Sequence, residues 1–176
     1  RKFTIDNGLA DNWVYSIAVA PSGEVWFGTL GGASVYDGET WTTYTSGGGL
    51  AGDWVSAVAV APNGHVWFAT DSGVSEYDGE TWTTHLAGRH ARSVGAAADG
   101  TIWAAGSGFV SYFDGSTWHA VQSAYFADQL LISLALRANG EIWVGSLEDG
   151  ATMLTAAKEE GSQAQLDDIL WLGTPA

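Results

Sequence analysis

Cysteine is absent from the 176-residue sequence, which excludes disulfide bridges, thiolate metal centres and cysteine nucleophiles. Basic residues are scarce. Six Lys and Arg stand against 20 Asp and Glu, and the formal net charge of −14 repels phosphate backbones and anionic headgroups, so no nucleic-acid partner is expected. No apolar run approaches the ~20 residues of a membrane-spanning helix, so membrane insertion is not expected either. The chain begins at Arg1 with neither a Met nor the apolar core of a signal peptide, and it reads as a mature or excised segment. Strong helix formers are sparse, while Gly reaches 24, Trp 10, and Val and Thr recur in short runs. A helical bundle is thereby excluded and an all-β chain with many turns is implied.

What the sequence has in abundance is repetition. Gly23-Glu24-Val25-Trp26-Phe27-Gly28-Thr29, Gly64-His65-Val66-Trp67-Phe68-Ala69-Thr70 and Gly140-Glu141-Ile142-Trp143-Val144-Gly145-Ser146 are near copies, and Gly100-Thr101-Ile102-Trp103-Ala104-Ala105-Gly106 is a looser one. Their tryptophans at 26, 67, 103 and 143 are 41, 36 and 40 residues apart, the length of a four-stranded propeller blade. The expected fold is therefore an all-β propeller of about four antiparallel four-stranded blades.

Each copy divides into strands at its turn residues. In the first, a β-prone run over 14–20 turns at Pro21-Ser22-Gly23 into the tryptophan strand, and Asp37-Gly38 folds a third strand onto a fourth at 40–45. Copies are expected from about residues 13, 54, 90 and 130, filling 1–154. The opening residues Arg1-Lys2-Phe3-Thr4 align with Thr42-Thr43-Tyr44-Thr45, so residues 1–5 are expected to form an outermost strand. Closing onto the fourth blade, it would complete a ring and remove an exposed edge. Residues 155–176 are either a degenerate fifth repeat around Trp171 or a C-terminal tail.

The run from Gly8-Leu9-Ala10-Asp11-Asn12-Trp13 into Gly23–Thr29, together with Tyr36-Asp37-Gly38-Glu39-Thr40-Trp41 and Tyr77-Asp78-Gly79-Glu80-Thr81-Trp82, resembles the two-component regulator propeller repeat over about residues 1–154. This resemblance implies a bacterial propeller of the kind that forms the extracytoplasmic sensing part of a histidine kinase or a stand-alone secreted protein. An acidic, lysine-poor surface is in keeping with a periplasmic or secreted location.

Blades stack face to face, so the strand tryptophans are expected in the core, with Trp41, Trp82 and Trp118 covering blade edges. Trp13 and Trp54 differ. Each precedes an innermost strand, where the link from the previous blade enters the ring, and the aligned positions hold His90 and Leu130. Either the two indoles cap the inner strands or they form an aromatic platform for a sugar or another flat ligand at the channel mouth. Trp82 to His90 spans 8 residues where Trp41 to Trp54 spans 13, so a notch is expected beside His90. Arg89 and Arg92 flank it, and they either capture a ligand carboxylate or neutralise neighbouring acids. The candidate ligand-binding residues are thus Trp13, Trp54, His90, Arg89 and Arg92.

The hairpins bearing Asp37, Glu39, Asp78, Glu80, Asp99 and Asp114 are expected on the opposite face, as turn residues. His65, His85, His90 and His119 show no zinc-ligand spacing, no Asp run forms a calcium loop, and no nucleophile elbow occurs, so no metal, cofactor or catalytic group is expected. The leading expectation is a non-catalytic recognition module for a carbohydrate or protein ligand. The alternatives are a propeller enzyme like the streptogramin lyases, and an assembly unit that self-associates or meets a partner chain through blade edges.

Overall fold

The computed structural model describes residues 1–155; the expected fifth repeat or tail, with Trp171, lies outside the described residues. Fifteen strands form four antiparallel sheets. Blade one is β1 (Val14–Val19), β2 (Val25–Thr29), β3 (Gly32–Tyr36) and β4 (Trp41–Tyr44). Blade two is β5 (Val55–Val60), β6 (Val66–Thr70), β7 (Gly73–Tyr77) and β8 (Trp82–His85). Blade three is β9 (Ala91–Ala96), β10 (Ile102–Gly106), β11 (Phe109–Phe113) and β12 (Trp118–Ala120). Blade four is β13 (Leu131–Leu136), β14 (Glu141–Ser146) and β15 (Ala151–Thr155), three strands among the described residues. The expectation of an all-β propeller of antiparallel blades is met.

Turn chemistry sets these boundaries. Asp37 Oδ1 accepts the Glu39 and Thr40 N–H groups at 2.8 and 2.7 Å, and its Oδ2 accepts the Thr40 hydroxyl. Asp78 repeats the pattern on Glu80 and Thr81, and Asp114 on Ser116 and Thr117. These bonds hold Asp37 and Asp78 well below the usual carboxylate range, to about 2, and depress Asp114 further, since each favours the charged form. The acids of this face are turn builders, as their sequence context implies.

The middle strands make the core. Trp26 stacks on Tyr44 at 5.9 Å and meets Phe68 of blade two edge-on at 5.5 Å, so one ring joins two blades. Trp67 does the same toward blade three, against Phe113 and Trp118. Inner strands pack in order, β1 on β5, β5 on β9 and β9 on β13, and side chains tie them: Ser16 Oγ accepts the Val58 N–H, and Ser93 Oγ the Leu134 N–H, both at 3.0 Å.

Two expectations need correction. Residues 1–5 are not a strand, because no strand among the described residues pairs with them; Ile5–Asn7 is a 3₁₀ turn instead. Phe3 nevertheless contacts Tyr36 and Trp41 at 5.5 and 5.3 Å, just as Tyr44 contacts Tyr77 and Trp82 at 5.5 and 5.1 Å, so the segment sits where the outer strand of a preceding blade belongs. It does not complete blade four. The described blades form an open arc, in which no packing comparable to that between successive blades joins β13 to β1.

Candidate functional site

One hydrogen bond recurs in every copy and places the link residues at equivalent points around the propeller axis. The carbonyls of Trp13, Trp54, His90 and Leu130 accept the N–H groups of Leu30, Asp71, Ser107 and Leu147 at 3.1, 3.1, 3.3 and 2.9 Å. The alignment that singled out these positions is therefore a geometric equivalence. What differs is only the side chain each copy presents there.

Three of the five candidate residues come together. The Trp54 ring meets His90 edge-on at 5.3 Å, and the Arg92 guanidinium lies over the Trp54 ring at 5.6 Å. Tyr15, which sequence reasoning missed, reaches Trp54 from blade one at 5.8 Å. Tyr15 and Ser56, like Arg92, are the second residues of their inner strands, so the repeat ruler that found Trp54 could also have found these two.

Polar satisfaction marks this cluster. Trp54 Nε1, Ser56 Oγ, His90 Nε2 and Arg92 Nε are all covered and have no hydrogen-bond partner among the described residues. Elsewhere among the described residues such atoms belong to the packed indoles of Trp26, Trp67 and Trp118, with no other kind of polar group beside them. His90 is also unlike the other histidines. His65 and His85 both meet Glu76, at 2.7 and 2.8 Å, and His119 meets Asp114 at 2.8 Å. The burial of His90 and the like charge of Arg92 push its pKa down, against a smaller pull from Asp71, so the imidazole is neutral at pH 7.

The other two candidates lie apart. Trp13 is 67% exposed, its backbone N–H donates to Asp11 Oδ1 at 2.7 Å, and its ring stacks on no other ring among the described residues. Arg89 turns away, over the Phe109 ring at 5.0 Å, and borders a groove of about 510 Å³ that also involves Val121 and Phe126. The link into blade three explains the divergence. It lacks the 3₁₀ turn found at Ile5–Asn7, Ser46–Gly48 and Ala124–Phe126, and it tightens through Leu86, at φ 47°, and Gly88, whose N–H donates to the Ser72 carbonyl. Arg89 and Arg92 therefore lie over different rings, and of the two readings offered for the pair, carboxylate capture finds no support in their arrangement.

Chemically, the cluster offers two aromatic faces, two obligate donors in Trp54 and Arg92, and two groups, Ser56 and His90, able to donate or accept. It suits a flat ligand rich in acceptor oxygens. Among the described residues no group of three or more His, Asp or Glu side chains could hold a metal ion, and no helix is long and apolar enough to cross a membrane.

Residues 8–31 match the two component regulator propeller family model, the same run that carries the resemblance in the sequence. No curated protein sequence matches the chain. Among solved structures, it is similar to the extracellular domain of a protein from B. thetaiotaomicron described as a hybrid two component system. That likeness has 20% identity and a TM-score of 0.73, over 86% of this chain and 23% of the other. PorZ, a surface component of the type-IX secretion system of Porphyromonas gingivalis, is similar with 18% identity and a TM-score of 0.71, over 89% and 26%. Virginiamycin B lyase from Staphylococcus aureus, solved with quinupristin as an inactive variant, shows 16% identity and a TM-score of 0.65, over 88% and 59%. These likenesses show the fold, and the chain spans about a quarter of the length of the first two proteins.

Proposed function

We propose that this chain is a non-catalytic, extracytoplasmic recognition module of the two-component regulator propeller type, which binds a carbohydrate or protein ligand at the channel mouth. The observation that carries this reading is the patch of four unpartnered polar atoms on Trp54, Ser56, His90 and Arg92 beside the Tyr15 and Trp54 rings. Leaving such atoms unpaired costs on the order of 1–3 kcal/mol each, a cost that a folded scaffold tolerates where a ligand supplies the partners. The atoms are covered in the free chain, so binding proceeds with a rotamer change of Arg92 or of Tyr15, which is 45% exposed. The likeness to extracellular two component system domains supports the location.

The test is a glycan and peptide screen read by tryptophan fluorescence, repeated on Trp54→Ala and Arg92→Ala. Ligands should weaken about five- to 150-fold with either variant, since a buried stacking or charge-assisted contact is worth about 1–3 kcal/mol. Trp13→Ala reports whether that exposed ring extends the platform. If every ligand found binds folded Trp54→Ala and Arg92→Ala as tightly as the unaltered chain, the proposal fails.

A further inference from the structure

A cavity of about 200 Å³ opens between blades one and two, at the turns of Asp37, Gly64 and Gly79 and away from the links that carry Trp54 and His90. Glu24, Trp26, Val35 and Tyr44 of blade one line it with Tyr77 of blade two, and every residue around it lies between positions 24 and 79. Its volume is below the about 300 Å³ at which pockets for drug-sized ligands begin, so it suits a small molecule.

The other copies show what this place holds when it is filled. Strand register sets Val35 beside Trp26, Glu76 beside Trp67 and Tyr112 beside Trp103. Tyr44 stacks on Trp26 at 5.9 Å as His85 stacks on Trp67 at 5.0 Å, and Glu24 and His65 both open their tryptophan strands. In copy two, Glu76 reaches between His65 and His85, which meet its two oxygens at 2.7 and 2.8 Å. In copy three, the Tyr112 ring lies against Trp103 at 5.1 Å. Copy one offers only Val35, too short for either contact, and the space stays open.

Charge and polarity say what fits there. No Lys, Arg or His lines the cavity, and neither Glu24 nor Asp37 forms an ion pair among the described residues. The Asp37 oxygens already serve their turn, whereas the Glu24 carboxylate accepts only the Ser22 hydroxyl, at 3.1 Å, among the described residues. Burial, a hydrogen bond to Tyr77 and the charge of Glu24 push the Tyr44 phenol up to about 12, so it stays neutral and a second negative charge is disfavoured beside it. Trp26 is 3% exposed, and its Nε1–H has no acceptor among the described residues. The cavity thus presents one available carboxylate, one unaccepted donor and aromatic walls.

We propose that this cavity binds a small ammonium ion carrying a hydroxyl group, the chemistry of an amino alcohol or an amino sugar. The ammonium donates to the Glu24 carboxylate, and the hydroxyl oxygen accepts the Trp26 Nε1–H, against the rings of Trp26 and Tyr44. The ligand supplies in copy one, with the sign of charge reversed, the ion pairing that His65, Glu76 and His85 make for themselves in copy two. A chain of net charge −14 also draws cations toward its surface. The site is independent of the Trp54 cluster.

The test is titration of the whole chain with ethanolamine hydrochloride and with glucosamine hydrochloride at about pH 6.5 and constant ionic strength. Calorimetry and the ¹⁵N-resolved Trp26 indole N–H resonance, assigned by its loss in Trp26→Phe, read the binding. A shift with either compound supports the site, and the tighter of the two names the source. Glu24→Gln should weaken binding about ten- to 150-fold, and ethylamine, which lacks the hydroxyl, should bind about two- to tenfold more weakly than ethanolamine. Glu80→Gln, outside the cavity, should change nothing. Glu24→His, Val35→Glu and Tyr44→His together rebuild the trio of copy two, and that chain should fold and bind neither compound. No shift of the Trp26 resonance up to about 10 mM, ethylamine or ethylene glycol binding as tightly as ethanolamine, or full affinity in folded Glu24→Gln would each overturn the proposal.

Discussion

Substituting alanine for the same tryptophan in each blade tests whether inter-blade burial holds this fold. Trp67 is 2% exposed, stacks on His85 at 5.0 Å, and touches Phe113 and Trp118 of the next blade at 5.6 and 6.2 Å. Its strand is paired on both sides, to β5 and to β7, so the backbone cannot collapse into the space left by the ring. Trp67→Ala should therefore cost about 3–5 kcal/mol, the sum of a transfer loss and a cavity. Trp143 is likewise paired on both sides, to β13 and β15, but has neither an outer strand nor a following blade among the described residues, and water replaces part of its ring without leaving a void. With 39% of its surface already wet, Trp143→Ala should cost only about 1–2 kcal/mol. Urea unfolding at about 1 µM measures the difference. With an m-value of about 2 kcal/mol/M, the midpoint should fall by about 2 M for Trp67→Ala and by under about 1 M for Trp143→Ala. Equal costs at the two positions, within about 0.5 kcal/mol and with m unchanged, would refute the idea that the junction and not the strand makes this residue matter.

Three other outcomes are expected. Ser16→Ala leaves the Val58 N–H without its acceptor between blades one and two, and should lower stability by about 1–3 kcal/mol with faster hydrogen exchange at that amide. Gly49→Ala places a Cβ 2.6 Å from the Trp82 ring at φ +121° and should destabilise by more than about 2 kcal/mol, whereas Gly64→Ala, at φ +88° in open space, should cost about 1 kcal/mol; thermal unfolding of the pair separates contact from backbone strain. Asp37 and Asp78 have folded pKa values depressed to about 2, so their contribution is present above about pH 4 and is lost as pH falls toward 2. Chains with Asp37→Asn and Asp78→Asn should be less stable than the unaltered chain at pH 7 and lose less on going from pH 4 to 2; an equal loss in both would show that the turn carboxylates are not the titrating groups.

Much of this was legible in the chain. The tryptophan spacing implied blades because a repeat that cannot bury both faces alone must stack on its neighbours. Asp-Gly marked the outer hairpins because the carboxylate can accept the turn N–H groups and Gly38 and Gly79 take φ near +105°. Aligning the copies brought Trp54, His90 and Arg92 to notice, and the recurring carbonyl bond of Trp13, Trp54, His90 and Leu130 is the reason that worked. The direction of Arg89 was not legible. It depends on the missing 3₁₀ turn in a link of unusual length, and on Phe109, which is 20 residues farther along the chain, on β11. Nor was the pairing of His65 and His85 on Glu76, because three residues spaced 11 and 9 apart meet only through strand register.

By itself, the sequence determined the blade, its length, its turns and the residue types available at each equivalent position, because these rest on local geometry and a period that pairs strands with their nearest neighbours. Only the tertiary structure decided which blade faces are covered, that Phe3 packs on blade one without belonging to a strand, and that four polar atoms of the Trp54 cluster lack partners among the described residues. Those properties depend on what lies across a junction, and identical repeats meet different surroundings at the middle and at the ends of an arc.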